Sequence, residues 1–188
     1  MLLHSISASA KCVRVAAFLG FTLFAAPCLA NPIGDWMVEK GLARITIVNC
    51  DNRLWGVVSW EKQPALDVHN PDPIKRTRPT LGMPVILDMQ QTEANRWEGQ
   101  IYNSNNGKTY AANLSMAGTD ALRVRGCVLS VLCGGEVWTR VKADPPPAPP
   151  QQQRSTGAAT NATSAAAAAS AAATQSICTQ VTGSKPAP

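Results

Sequence analysis

Between Gly34 and Val141, apolar residues recur at every second position in short runs, and each run ends in turn chemistry. Period-two alternation sends successive side chains to opposite faces, so it marks half-buried antiparallel strands. The spacing predicts strands over Gly34–Lys40, Ala43–Cys50, Arg53–Trp60, Pro84–Gln90, Arg96–Asn103, Lys108–Met116, Ala121–Val128 and Glu136–Val141. In the third strand Leu54, Gly56, Val58 and Trp60 alternate with Arg53, Trp55, Val57 and Ser59. Tyr110, Ala112, Leu114 and Met116 share one face of the sixth, and Leu122, Val124, Gly126 and Val128 one face of the seventh. Asp51-Asn52, Asn106-Gly107, Gly118-Thr119 and Gly134-Gly135 suit tight turns that need positive φ or side-chain-to-backbone bonds. No stretch of this segment holds a helical period. The fold class is therefore all-β: an antiparallel up-and-down barrel of about eight strands. Hairpin links join neighbours nearly everywhere, and closure removes exposed edges.

The flanks differ in kind. Residues 1–30 carry Lys11 and Arg14, an unbroken apolar run from Val15 to Ala26, and small residues at Cys28 and Ala30. That pattern is a secretory signal peptide cleaved after Ala30, and its apolar run is short for a bilayer span. The folded domain is placed at 31–142. Residues 143–188 form a low-complexity Pro/Ala-rich tail, expected to be disordered because it lacks the large apolar residues a core requires. Its Ala165–Ala173 run has helix propensity but no evident packing partner.

The formal charge of +5 is not a property of the domain. Residues 31–144 hold thirteen Lys and Arg against all twelve Asp and Glu. A nearly neutral domain argues against a nucleic-acid surface. Four cysteines remain after cleavage, namely Cys50, Cys127, Cys133 and Cys178. An exported, periplasmic or secreted chain meets an oxidising compartment, so disulfides are expected. Cys127 and Cys133 are close enough in sequence to bridge a turn, which leaves Cys50 free or joined to Cys178.

Three segments together resemble a known family: IGDW at Ile33–Trp36, DxxNPDPxxRxRPxxG at Asp67–Gly82, and WEGQIYNSNNGKTY at Trp97–Tyr110 with LRVRGCV and VWTR behind it. The combination is similar to the secreted bacterial family called domain of unknown function 2147. The resemblance covers the domain and neither flank. It implies an exported small β-domain and no particular activity. Members often carry a second cysteine soon after the one matching Cys50, and here Trp55 stands near that place. A looser likeness is to lipocalins, whose first strand carries Gly-x-Trp and whose last strand carries an Arg over that ring. By that likeness Gly34, Trp36 and Arg140 close the barrel floor, and Trp36 and Arg140 touch by a cation–π contact.

One connection is long. From Glu61 to Met83 the chain leaves the strand pattern, and Asp67, Asn70, Asp72, Arg76 and Arg78 fall within twelve residues of it. Pro71, Pro73 and Pro79 stiffen them. One version has Asp67 or Asp72 paired with Arg76 or Arg78 and the loop plugging a barrel mouth. The other has an arginine facing the mouth to hold an anionic group. Trp60, Trp97, Tyr102 and Tyr110 are candidates to line a lumen or its rim. Asp67, His69 and Asp72 fall short of a metal signature, and no hydrolase or phosphate-loop motif is present, so neither metal nor cofactor is expected. The leading expectation is a non-enzymatic barrel binding a small or amphipathic envelope ligand, or a protein partner, at the mouth covered by 67–79. The alternatives are a hydrolase using Asp67 or Asp72 with Arg78, and an envelope protein tethered through its tail by an intermolecular bond at Cys178.

Overall fold

The computed structural model describes residues 31–128, 132–142 and 159–183. The expected signal peptide, residues 1–30, and the tail segments 143–158 and 184–188 lie outside the described residues.

Eight strands form one closed antiparallel barrel in chain order. They are β1 (Gly34–Met37), β2 (Ala43–Cys50), β3 (Arg53–Glu61), β4 (Pro84–Glu93), β5 (Arg96–Asn103), β6 (Lys108–Met116), β7 (Ala121–Val128) and β8 (Leu132–Arg140). β1 pairs with β8 through Trp36 opposite Arg140, so no edge is left open. This is the up-and-down barrel that the alternation predicts.

Two local expectations are corrected. Gly134-Gly135 is not a turn. Both glycines lie inside β8, opposite Gly126 and Arg125. A Cβ on Gly135 would sit 2.1 Å from the Val124 carbonyl oxygen, so close strand packing is what excludes a side chain there. The second correction is in β3. Ile45 pairs with Val58 but Arg44 pairs with Trp60, which leaves Ser59 as an extra residue. One inserted residue reverses the facing of all that follow. Trp60 therefore leaves the inward series Leu54, Gly56 and Val58, and Glu61 lines the interior in its place.

The interior is filled unevenly. Trp36, Met89, Trp97, Leu114, Met116 and Leu122 are buried in one core cluster towards the end where the β2–β3, β4–β5 and β6–β7 turns lie. Trp36 is fully enclosed and its indole Nε1 donates to the Pro32 carbonyl at 2.7 Å. The Arg140 guanidinium lies 4.2 Å from the Trp36 ring centre. It also donates to the carbonyls of Asn31, Ile33 and Thr119. Gly34 has φ +122°, and a Cβ there would meet Arg140 Nη1 at 3.0 Å. Backbone geometry and the arginine's approach thus both select glycine. This end is a closed floor, and Trp36 and Arg140 touch as expected.

The expectation of disorder is corrected for the described part of the tail. Residues Ala159–Gly183 form one helix, α1. The run of alanines favours helix, and a packing partner exists after all. The outward residues Val48, Trp55 and Val57 of β2 and β3 are buried against Ile177, Cys178 and Val181. Cys50 is bonded to Cys178, and Cys127 to Cys133. Of the two readings left open for Cys50, the bond to Cys178 is the one observed; Cys178 joins the tail to its own barrel, not to another chain as the tether alternative required. Among the described residues no helix is long and apolar enough to cross a membrane.

Candidate functional site

The β1–β2, β3–β4 and β5–β6 connections leave the barrel at the end opposite the floor, where β7 ends and β8 begins. There the interior opens into a cavity of about 810 Å³. Its walls are apolar: Ile45, Val58, Val85, Ile101, Val124 and Trp138. The polar lining includes Glu39, Glu61 and Glu136, the hydroxyl of Tyr110, and the amides of Asn103 and Asn105, and among the described residues no lysine or arginine lines it. Glu136 stands two residues before Trp138 on the same face of β8 and accepts a hydrogen bond from its indole Nε1. Glu61 accepts from the Thr80 hydroxyl at 2.7 Å. Tyr110 accepts from the Asn106 amide at 2.9 Å.

The 67–79 loop is placed differently from the expectation. None of Asp67, Asn70, Asp72, Arg76 or Arg78 lines the cavity, while Ala65, Thr80 and Met83 at the roots of the connection do. The loop packs beside the mouth rather than across it. Its centre is Asp67, fully buried. The carboxylate accepts from the Tyr102 hydroxyl at 2.6 Å, from Asn70 Nδ2 at 2.6 Å, and from Arg78 Nε and Nη2 at 3.0 and 2.8 Å. Tyr102 follows inward Ile101 on β5, so alternation turns its ring outward, where the loop buries it. Gly107 completes the seat. It sits at φ +67° in the β5–β6 turn, and a Cβ there would fall 1.8 Å from the His69 carbonyl oxygen. Asn-Gly thus both makes the hairpin and admits the loop.

Burial pushes the Asp67 carboxyl up, but the bonds from Tyr102, Asn70 and Arg78, together with the arginine's charge, outweigh it and hold the group below its ordinary value. The Tyr102 hydroxyl is pushed up to about 12 by burial and by the Asp67 carboxylate it serves. Asp67 is therefore a saturated, ionised anchor. Asp72 caps a short 3-10 turn, Pro73–Thr77, by accepting from the Ile74 amide at 3.0 Å, and it pairs with Lys75 at 3.3 Å. Arg76 Nε donates to the Asn70 carbonyl at 2.8 Å. The structural version of the loop is thus realised in its pairing, Arg78 with Asp67, but not in its placement, since these residues do not line the mouth. The hydrolase arrangement is not assembled, because neither acid faces the cavity.

The four aromatics separate. Tyr110 points into the cavity mouth. Tyr102 belongs to the loop anchor, although part of it reaches the rim. Trp97 is core. Trp60 lies on the outer wall, with Arg44 above it at 5.9 Å, because of the bulge at Ser59. The cavity carboxylates escaped the sequence reading. Glu136 was legible from its alternation with Trp138. Glu61 was not, since only the bulge turns it inward. Among the described residues no three metal-ligating side chains converge.

A closed eight-stranded meander with a packed floor and a single-ended cavity defines a lipocalin-like barrel. The solved structure titled "Protein HP1028 from the human pathogen Helicobacter pylori belongs to the lipocalin family" has a similar fold, with a TM-score of 0.56 and 16% sequence identity over 60% of this chain and 84% of that one. Within that architecture, this chain belongs to the bacterial family described as uncharacterized protein conserved in bacteria, DUF2147, whose model matches residues 34–140. A comparison with curated proteins returned no match.

Proposed function

We propose that this protein is an exported binding module that holds a small amphipathic ligand in the barrel cavity. The observation that carries this reading is the open apolar cavity of about 810 Å³ above a packed floor, a volume within the range of small-molecule sites. The two disulfides are consistent with an oxidising compartment such as the periplasm. The ligand's apolar part lies against Val58, Val85 and Ile101, and its polar end meets Tyr110, Glu61 and Glu136 at the rim. Arg123 and Arg125 lie beside Glu39 and Glu136 in a pocket adjoining the cavity but do not line the cavity itself, so its carboxylates favour a neutral or cationic polar group, not the anionic one an arginine would hold. Asp67, Asn70, Asp72, Arg76 and Arg78 contribute by fixing the rim, and Trp60 and Trp97 by packing.

Titration with the neutral fluorescent probe N-phenyl-1-naphthylamine tests the reading. Val85 is half-buried and lines the cavity, so Val85→Trp fills space without entering the packed floor. The expected outcome is saturable probe binding that weakens at least about tenfold in Val85→Trp, with an unchanged near-UV circular dichroism spectrum outside the added indole signal. Absence of saturable binding, or equal binding by a folded variant, sinks the proposal. Native mass spectrometry of protein purified from its own envelope then identifies the ligand.

A further inference from the structure

We infer that the mouth end of the barrel docks on an anionic lipid surface. The exposed large apolar side chains are not scattered. Leu42 stands in the β1–β2 connection, Leu66, Val68, Ile74 and Leu81 in the β3–β4 connection, and Leu132 at the start of β8. Ile74 is 87% exposed and Leu132 69%. All six belong to the mouth end. Trp60 adds to them, in an apolar groove on the outer wall shared with Pro64, Leu66, Pro79 and Leu81. Away from the mouth, Ile33 at the floor is 38% exposed and Val137 on the outer wall of β8 40%, both less than any of the six. A rim of this kind around a cavity opening marks an interaction face.

Charge selects the partner. Lys40, Lys62, Arg76 and Lys108 are exposed around the same mouth, and none of them is in an ion pair with a described residue. Of the acids at this end, Glu39 is exposed at the rim, Glu61 and Glu136 are half-buried there and hydrogen-bonded to Thr80 and Trp138, and Asp72 is paired with Lys75. At the floor end the basic side chains Arg53, Arg96 and Lys142 are paired with Asp88, Glu98 and Asp120, and the exposed Asp51 and Glu93 stand without an ion pair to a described residue. Protruding apolar side chains ringed by unpaired cations suit the boundary between acyl chains and anionic headgroups. The geometry also gives an amphipathic ligand a route from bilayer to cavity without crossing water. That route rests on the proposed function, whereas the docking stands on the rim alone.

The experiment is flotation of the oxidised protein with vesicles of phosphatidylglycerol and phosphatidylethanolamine, and with vesicles of phosphatidylcholine. Binding to the first, its loss at high salt, and little binding to the second are expected. Val68→Asp and Ile74→Asp each lower the partition at least about tenfold. Lys40→Glu and Lys62→Glu each lower it at least about fivefold. Ile33→Asp at the floor leaves it unchanged. These positions are exposed, and unaltered thermal unfolding verifies that each variant folds. No flotation with anionic vesicles overturns the inference, as does an equal loss in Ile33→Asp. So does a mouth whose variants abolish cross-linking to an envelope protein while vesicles bind neither form. If probe binding in solution persists while flotation fails, docking alone is wrong. If flotation persists while probe binding fails, the cavity reading alone is wrong.

Discussion

The two ends of this barrel are built from the same strands and behave as opposites. At the floor, Trp36 and Arg140 satisfy each other, the carbonyls of Asn31, Ile33 and Thr119 accept the guanidinium's hydrogen bonds, and Arg53, Arg96 and Lys142 pair with acids. At the mouth, side chains stop short of filling the lumen, carboxylates line it, and apolar tips stand in solvent. The contrast locates stability and function in different halves. An arginine stacked on a buried ring adds to packing, whereas an exposed isoleucine adds nothing to the folded state and has to be explained by something outside it.

Substitutions at the floor give the largest test. Trp36→Ala removes a fully buried ring and its hydrogen bond, and is expected to cost about 3–5 kcal/mol in denaturant unfolding. Where that variant still folds, probe affinity at low temperature changes less than threefold; a larger loss would show that the ends are not independent.

The loop anchor comes next. Asp67→Asn keeps the shape but loses the charge that Arg78 and Tyr102 serve, and is expected to cost about 2–3 kcal/mol of loop stability, read by hydrogen exchange at the Asn70 and Thr80 amides. The same site predicts two pH limbs. The Asp67 carboxyl is lowered in the fold, so its contribution is present above the unfolded value of about 3.9 and is lost as pH falls through the folded one. Tyr102 is raised to about 12, so its contribution is complete below about 10 and is lost as pH climbs towards 12. Asp67→Asn should flatten the acid limb and Tyr102→Phe the alkaline one. Wild-type limbs in both variants would remove Asp67 and Tyr102 as their source.

The smallest expected effect is Arg140→Lys, about 1 kcal/mol, because an ammonium keeps the charge but not the fork that reaches three carbonyls. A loss as large as that of Trp36→Ala would mean that the arginine, not the ring, closes the floor.

The floor was more legible in the sequence than the mouth, and the reason is local. Gly34, Trp36 and Arg140 were legible through the likeness to lipocalins, and strand register brings Trp36 opposite Arg140. The alternation also fixed β2, β5, β6 and β7 at their observed bounds. The mouth depends on departures from alternation. One extra residue at Ser59 sends Trp60 out and Glu61 in. The β3–β4 connection folds to the side because Asp67 finds Tyr102 on the far side of β4. The helix was missed for a related reason: Trp55 and Val57 make β3 apolar on its outer face as well, and only α1 explains that.

The Cys50–Cys178 bond spans 128 positions of sequence, from the end of β2 to the last turns of α1. It turns most of the chain into a ring. A protease that cuts once between those cysteines yields two pieces that still migrate as one until a thiol reductant is added. A connecting segment can thus be nicked without releasing the helix from the wall it covers.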